Sequence, residues 1–120
     1  VEAHVVARAR VVFSTVSSSA RSVLAGEHFP TVIVDEAAMC EEALSFVILR
    51  PEATRLVLVG DPKQLPATVL SAAAQRAGFS RSMMDRLIVN GCAAVLLNVQ
   101  HRMHPDVAKW PNEQFYEGRL

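Results

Sequence analysis

Asp35 and Glu36 are adjacent acids that close the run Thr31-Val32-Ile33-Val34 and precede Ala37-Ala38. Two neighbouring carboxylates at the end of an apolar run can hold a divalent cation and activate a water. They can equally cap a following helix. Gln64 lies in Gly60-Asp61-Pro62-Lys63-Gln64-Leu65-Pro66-Ala67. Its amide has one acceptor and two donors, so it can orient a water or touch a phosphate oxygen. In itself the segment also reads as a strand-to-helix turn, with Gly60 permitting a tight bend and two prolines stiffening it. Arg102 lies in Gln100-His101-Arg102-Met103-His104-Pro105. Arginine suits bidentate phosphate contact and is also an ordinary surface charge. Ser14-Thr15, after Val11-Val12-Phe13, reads in isolation as a turn or cap.

These residues need a frame. The unbroken apolar run Thr31–Val34 suits a strand buried on both faces, as in a parallel sheet. Its carboxyl end, with Asp35 and Glu36, is where open α/β sheets bind ligands. Arg55–Val59 and Ala93–Asn98 read as further strands, and Arg10–Thr15 as another. Val1–Arg10 reads as the end of a helix, and Ser17–Leu24 as a short one stopped by Gly26. Apolar residues at 40, 43, 44, 47 and 48 fit one helical face, with Pro51 as its stop. Glu41 and Glu42 fall in its first turn as helix-end charges. Thr68–Ala77 and Ser82–Asn90 read as helices stopped by Gly78 and Gly91; Arg81 and Arg86 read as surface charges. A short helix starts at His104-Pro105 and breaks at Pro111-Asn112. Strands alternating with helices predict an α/β fold with a parallel sheet flanked by helices.

The 120 residues suit at most one domain, able to bury roughly 65% of its unfolded surface. The hydrophobic share of 51% is that of a globular chain. Net charge is zero, so there is no global basic field to attract nucleic acid, though a local basic groove is compatible with it. Cys40 and Cys92 lack metal-ligand spacing and read as buried reduced thiols of an intracellular protein, nuclear or cytoplasmic. His4, His28, His101 and His104 also lack it. No run reaches transmembrane length and the first residues are not a signal peptide, so no membrane partner is expected. The chain begins with Val1, mid-pattern, which suggests a piece of a longer protein.

In this order, the segments ending Val-Asp-Glu-Ala-Ala, Gly-Asp-Pro-Lys-Gln-Leu-Pro and Gln-His-Arg-Met-His-Pro resemble superfamily 1 helicases of the senataxin-like and nonsense-mediated-decay branch. Phe115–Leu120 resembles that family's Phe-Tyr-x-Gly-x-Leu tail, and Val11–Thr15 its nucleic-acid-contacting strand end. The resemblance covers nearly the whole chain. It implies that residues 1–120 are part of a RecA-like P-loop NTPase domain, the first of a two-domain motor. It implies ATP and Mg2+ as cofactors and single-stranded RNA or DNA as the track. Asp35 would hold Mg2+, Glu36 would act as general base, and Gln64 would sense the γ-phosphate. Arg102 would stabilise charge on the transferring phosphoryl group, and Ser14 and Thr15 would meet the nucleic-acid backbone.

The chain departs from the family in several places. No Gly-x-x-x-x-Gly-Lys-Ser/Thr loop occurs in it, nor the second RecA-like domain with its own arginine. Both are expected partners in the remainder of the helicase, so the parent is expected to hydrolyse ATP and this chain alone is not. Met39 replaces the usual Gln and His101 the usual Tyr. In the family the phosphate-loop strand lies between the Arg55–Val59 and Ala93–Asn98 strands, which predicts a gap of roughly 9–10 Å between them. The competing readings are a degenerate RecA-like module that binds a protein or RNA partner without ATPase activity, and an unrelated phosphate-handling α/β enzyme. Retention of Asp35, Glu36, Gln64 and Arg102 favours the motor over the first, and the ordered motif set over the second.

Overall fold

The computed structural model describes residues 2–120 and resolves into two compact units, Val1–Asn90 and Gly91–Leu120. The first is an α/β unit built on a parallel pair of strands, β1 (Thr31–Val34) and β2 (Arg55–Leu58), in the register Thr31↔Arg55 to Val34↔Leu58. Both strands are rich in β-branched and aliphatic side chains, which suit a pleated surface. Around them run α1 (Glu2–Val6), α2 (Ser22–Ala25), α3 (Glu42–Ser45), α4 (Ala72–Arg76) and α5 (Met83–Val89), with 3-10 turns at Ser17–Ala20 and Ala37–Met39. The strands therefore alternate with helices as expected.

One sheet face carries the core. Val34, Ala37 and Ile48 are buried together, and Val16, Val32, Leu56, Leu58 and Met84 pack against them. Residues of the opposite face are open: Ile33 is 67% and Val57 38% exposed. The expectation of a strand buried on both faces is thus corrected. Two short strands leave every second side chain on an open face, and a parallel pair so small depends on its packed side for stability.

Several expected elements are shorter or absent. Residues 10–15 and 93–98 form no strand, so the predicted gap beside Arg55–Val59 has no second strand to bound it. The 17–24 helix is split because Arg21 takes an extended conformation (φ −62°, ψ 144°) between the 3-10 turn and α2. The helix expected through residue 49 closes after Ser45 into turns with i→i−3 bonds, Val47 N to Leu44 O and Ile48 N to Ser45 O. The 68–77 helix begins only where Ser71 can cap it, its hydroxyl accepting from Ala74 N at 3.2 Å. α5 is capped likewise by Ser82, which accepts from Asp85 N at 3.0 Å. Glu42 is no simple helix-end charge and Arg86 no free surface one: Nε of Arg86 donates to Glu42 at 2.6 Å, and Arg81 stands 3.9 Å away.

The second unit centres on α6 (Pro105–Tyr116). The predicted break at Pro111-Asn112 does not occur. Pro111 supplies no N–H to the helix, yet the chain stays helical through Tyr116, and Asn112 clamps the chain's end back onto it. Asn112 accepts from Leu120 N at 2.9 Å and donates to Leu120 O at 3.0 Å. Gly118 N bonds Asn112 O, with Glu117 and Gly118 in left-handed conformations that end the helix. Trp110 and Phe115 meet edge-on, with ring centroids 5.8 Å apart. The thiols also differ from expectation. Cys40 is buried, while Cys92 is exposed, because it sits just past the α5 stop in a stretch without regular structure.

Candidate nucleotide-hydrolysis and nucleic-acid site

Asp35 and Glu36 sit directly after β1, at its carboxyl end as expected, and both are exposed. Asp35 Oδ1 accepts a hydrogen bond from Glu36 N at 3.1 Å. Glu36 is left-handed (φ 53°, ψ 38°), a conformation costing a non-glycine residue about 1–2 kcal/mol. This bend sends the chain inward to Ala37 and Ala38, both buried.

Those alanines meet the second strand end. Val59 N donates to Val34 O and Ala37 N donates to Val59 O, both at 2.8 Å, so the pairing of β1 and β2 continues into the two loops. Gly60 comes immediately after. A Cβ there would lie 2.9 Å from Ala38 N, 3.0 Å from Ala37 N and 3.3 Å from Met84 Sδ. Gly60 is required by this close approach of two backbones, with no positive φ involved. The acidic turn and the Gln64 loop are therefore locked edge to edge.

Asp61, half-buried, shapes the Gln64 loop. Its Oδ1 accepts from Lys63 N at 2.9 Å and its Oδ2 from Gln64 Nε2 at 3.0 Å, while its carbonyl accepts from Gln64 N at 3.0 Å. Sequence reasoning misses Asp61, although an Asp one residue before a turn proline signals an Asx turn.

Two hollows flank this junction. One, of about 510 Å³, is lined by Ser14, Thr15, Asp35, Phe29 and Arg50 among others. The other, of about 300 Å³, is lined by Gln64, Ala38, Arg81, Ser82 and Asp85 among others. Ser14 and Thr15 thus share a hollow with Asp35, whereas Gln64 opens into the other. Thr15 also ties to the following turn: its hydroxyl oxygen accepts from Ser18 N at 3.1 Å and its O–H donates to Ser18 Oγ at 2.9 Å. Arg50 props the first hollow's wall, donating to Leu24 O at 2.8 Å and Ser19 O at 3.0 Å. Its distance in sequence from those carbonyls leaves no local signal of that role.

Arg102 belongs to the second unit, where it is exposed on a turn clipped by Gln100. Gln100 Oε1 accepts from Arg102 N at 3.1 Å and Met103 N at 2.7 Å, and Nε2 donates to Met103 O at 2.8 Å. His104 Nδ1 then accepts from Asp106 N at 3.3 Å to cap α6.

A short parallel sheet with acids at one strand end and a Gln-bearing loop locked to them at the next defines an α/β fragment of the RecA-like helicase type. Two family models, each described as an AAA domain, match residues 1–72 and 79–120. The chain is 46% identical to Helicase SEN1 of Saccharomyces cerevisiae over 99% of its own length, and 45% identical over 93% to a protein of Arabidopsis thaliana named "Probable helicase MAGATAMA 3". It is 37% identical over 99% of its length to Regulator of nonsense transcripts 1 of Caenorhabditis elegans. It spans 5%, 14% and 11% of these relatives, respectively. The chain belongs to this AAA-domain family, as a segment of a superfamily 1 helicase of the senataxin-like and nonsense-mediated-decay branch. Among the described residues, no helix is long and apolar enough to cross a membrane.

Proposed function

We propose that residues 1–120 form part of the first RecA-like domain of an ATP-driven motor that translocates on single-stranded RNA or DNA. The observation that carries this reading is the backbone lock between the Asp35-Glu36 turn and the Gln64 loop, made by Ala37, Val59 and Gly60. It holds the turn of Glu36 and the loop of Gln64 on neighbouring strand ends, which supports the preorganisation a hydrolytic site needs.

In this reading ATP is the substrate. Glu36 takes the proton of the attacking water as its oxygen bonds the γ-phosphorus, and the bond to the β–γ bridging oxygen breaks to release ADP. Gln64 orients that water or contacts the γ-phosphate. Arg102 offsets charge on the transferring group. Asp35 would hold Mg2+: it is exposed at the end of β1, and its Oδ1 accepts a hydrogen bond from Glu36 N. A single carboxylate suits an ion that keeps most of its waters. Bound Mg2+ would supply charge neutralisation at the phosphates. The sequence holds no loop to cradle the β-phosphate, so this chain supplies the hydrolytic side of the site and the remainder of the helicase the grip. Ser14 and Thr15, at the rim of the hollow shared with Asp35, would contact the nucleic-acid backbone.

The test is ATP turnover by the full-length helicase with and without single-stranded RNA and DNA. The expected result is turnover that rises with one or both strands. Strand binding with no turnover in any condition would instead make this a non-catalytic binding module.

A further inference from the structure

We propose that Asp61 is a positioning residue that fixes which end of the Gln64 amide faces the reacting phosphate. This deepens the reading above and rests on it. An ionised carboxylate has only acceptors to offer. Gln64 must therefore meet Asp61 through Nε2, as it does at 3.0 Å, and this turns its Oε1 the other way. Oε1 is then the end left to take an O–H from an attacking water, while the second N–H of Nε2 stays available to a phosphate oxygen.

Asp61 is equipped to hold that orientation. Its second carboxylate oxygen is tied to Lys63 N at 2.9 Å, and its carbonyl to Gln64 N at 3.0 Å. Pro62 fixes φ inside the same turn. Gly60, the residue before it, is pressed against the Ala37-Ala38 backbone. The amide of Gln64 is thus referenced, through Asp61, to the turn that carries Glu36. A misplacement of about 1 Å in such a group can cost about a hundredfold in rate.

The substitution Asp61→Asn separates orientation from loop structure. Asparagine Oδ1 can still accept from Lys63 N, so the turn remains. Its Nδ2 then faces Gln64, and the Gln64 amide must turn over to pair with it. The experiment is steady-state ATP turnover by the full-length helicase with saturating single-stranded nucleic acid, comparing wild type, Asp61→Asn, Gln64→Ala and the double variant. The expected result is a loss in kcat of about ten- to a hundredfold for each single variant, with KM for ATP within about twofold. The double variant should fall no further than Gln64→Ala alone, since the orienter has nothing left to orient. If Asp61→Asn costs as much in the Gln64→Ala background as in wild type, Asp61 acts on the loop and not through Gln64, and the proposal fails. If Asp61→Asn matches wild type while Gln64→Ala loses rate, the proposal fails and the role of Gln64 stands. If Gln64→Ala keeps full turnover, the reading of Gln64 itself fails and takes this proposal with it.

Discussion

The loop that carries Gln64 and the turn that carries Arg102 are positioned by different physics. The first is fixed by backbone meeting backbone: strand pairing runs past Leu58 into Ala37 and Val59, and Gly60 leaves no room for a side chain. The second is fixed by one side chain, Gln100, closing three hydrogen bonds onto two residues beyond it. A backbone lock shares the stability of the core it belongs to. A side-chain clip can loosen locally without disturbing the core.

This contrast can be broken by substitution, read as native-state hydrogen exchange on the full-length helicase. Gly60→Val should have the largest effect. It forces atoms onto the amides of Ala37 and Ala38 and should lower protection across β1 and β2 by about 1–3 kcal/mol. Unchanged protection would mean the two loops are not locked. Gln100→Ala should speed exchange at Arg102 and Met103 by roughly fivefold, about 1 kcal/mol, and leave β1 and β2 untouched. Faster exchange in β1 and β2 as well would contradict the separation of the two devices. Ser82→Ala removes the α5 cap and should cost about 1 kcal/mol in protection of the first turn of α5. Arg81→Ala should be smallest, within about 0.5 kcal/mol, because its contact with Glu42 is long and exposed while Arg86 keeps the close one.

The placement of Asp35 and Glu36 was legible because apolar runs end where sheets bind ligands, and that pattern is local. The parallel sense of the sheet was legible because strands alternate with helices. Shortened helices were not. The 40–49 segment has a convincing apolar face, yet its Ala43 is exposed and Ser45 buried, since the packing of Ile48 with Val34 and Met84 set the geometry after Glu42. Pro111 misled because a proline removes one helix bond, while the clamp onto Leu120 comes from Asn112, a residue with no propensity signal of its own. Gly60 was picked out for the wrong reason: a glycine needed for close approach looks in sequence like a glycine needed for a turn. Asp61 escaped notice because an acid in a loop reads as solvated charge.

The central claim is that Glu36 is the base of a hydrolytic site, and Glu36→Gln tests it most directly in the full-length helicase with single-stranded RNA or DNA present. The substitution keeps size and removes the negative charge and the basicity. The account predicts that ATP binding persists while strand-stimulated turnover falls by about a hundredfold or more. Turnover equal to wild type, with binding intact, would leave Glu36 as a strand-end charge and contradict the account.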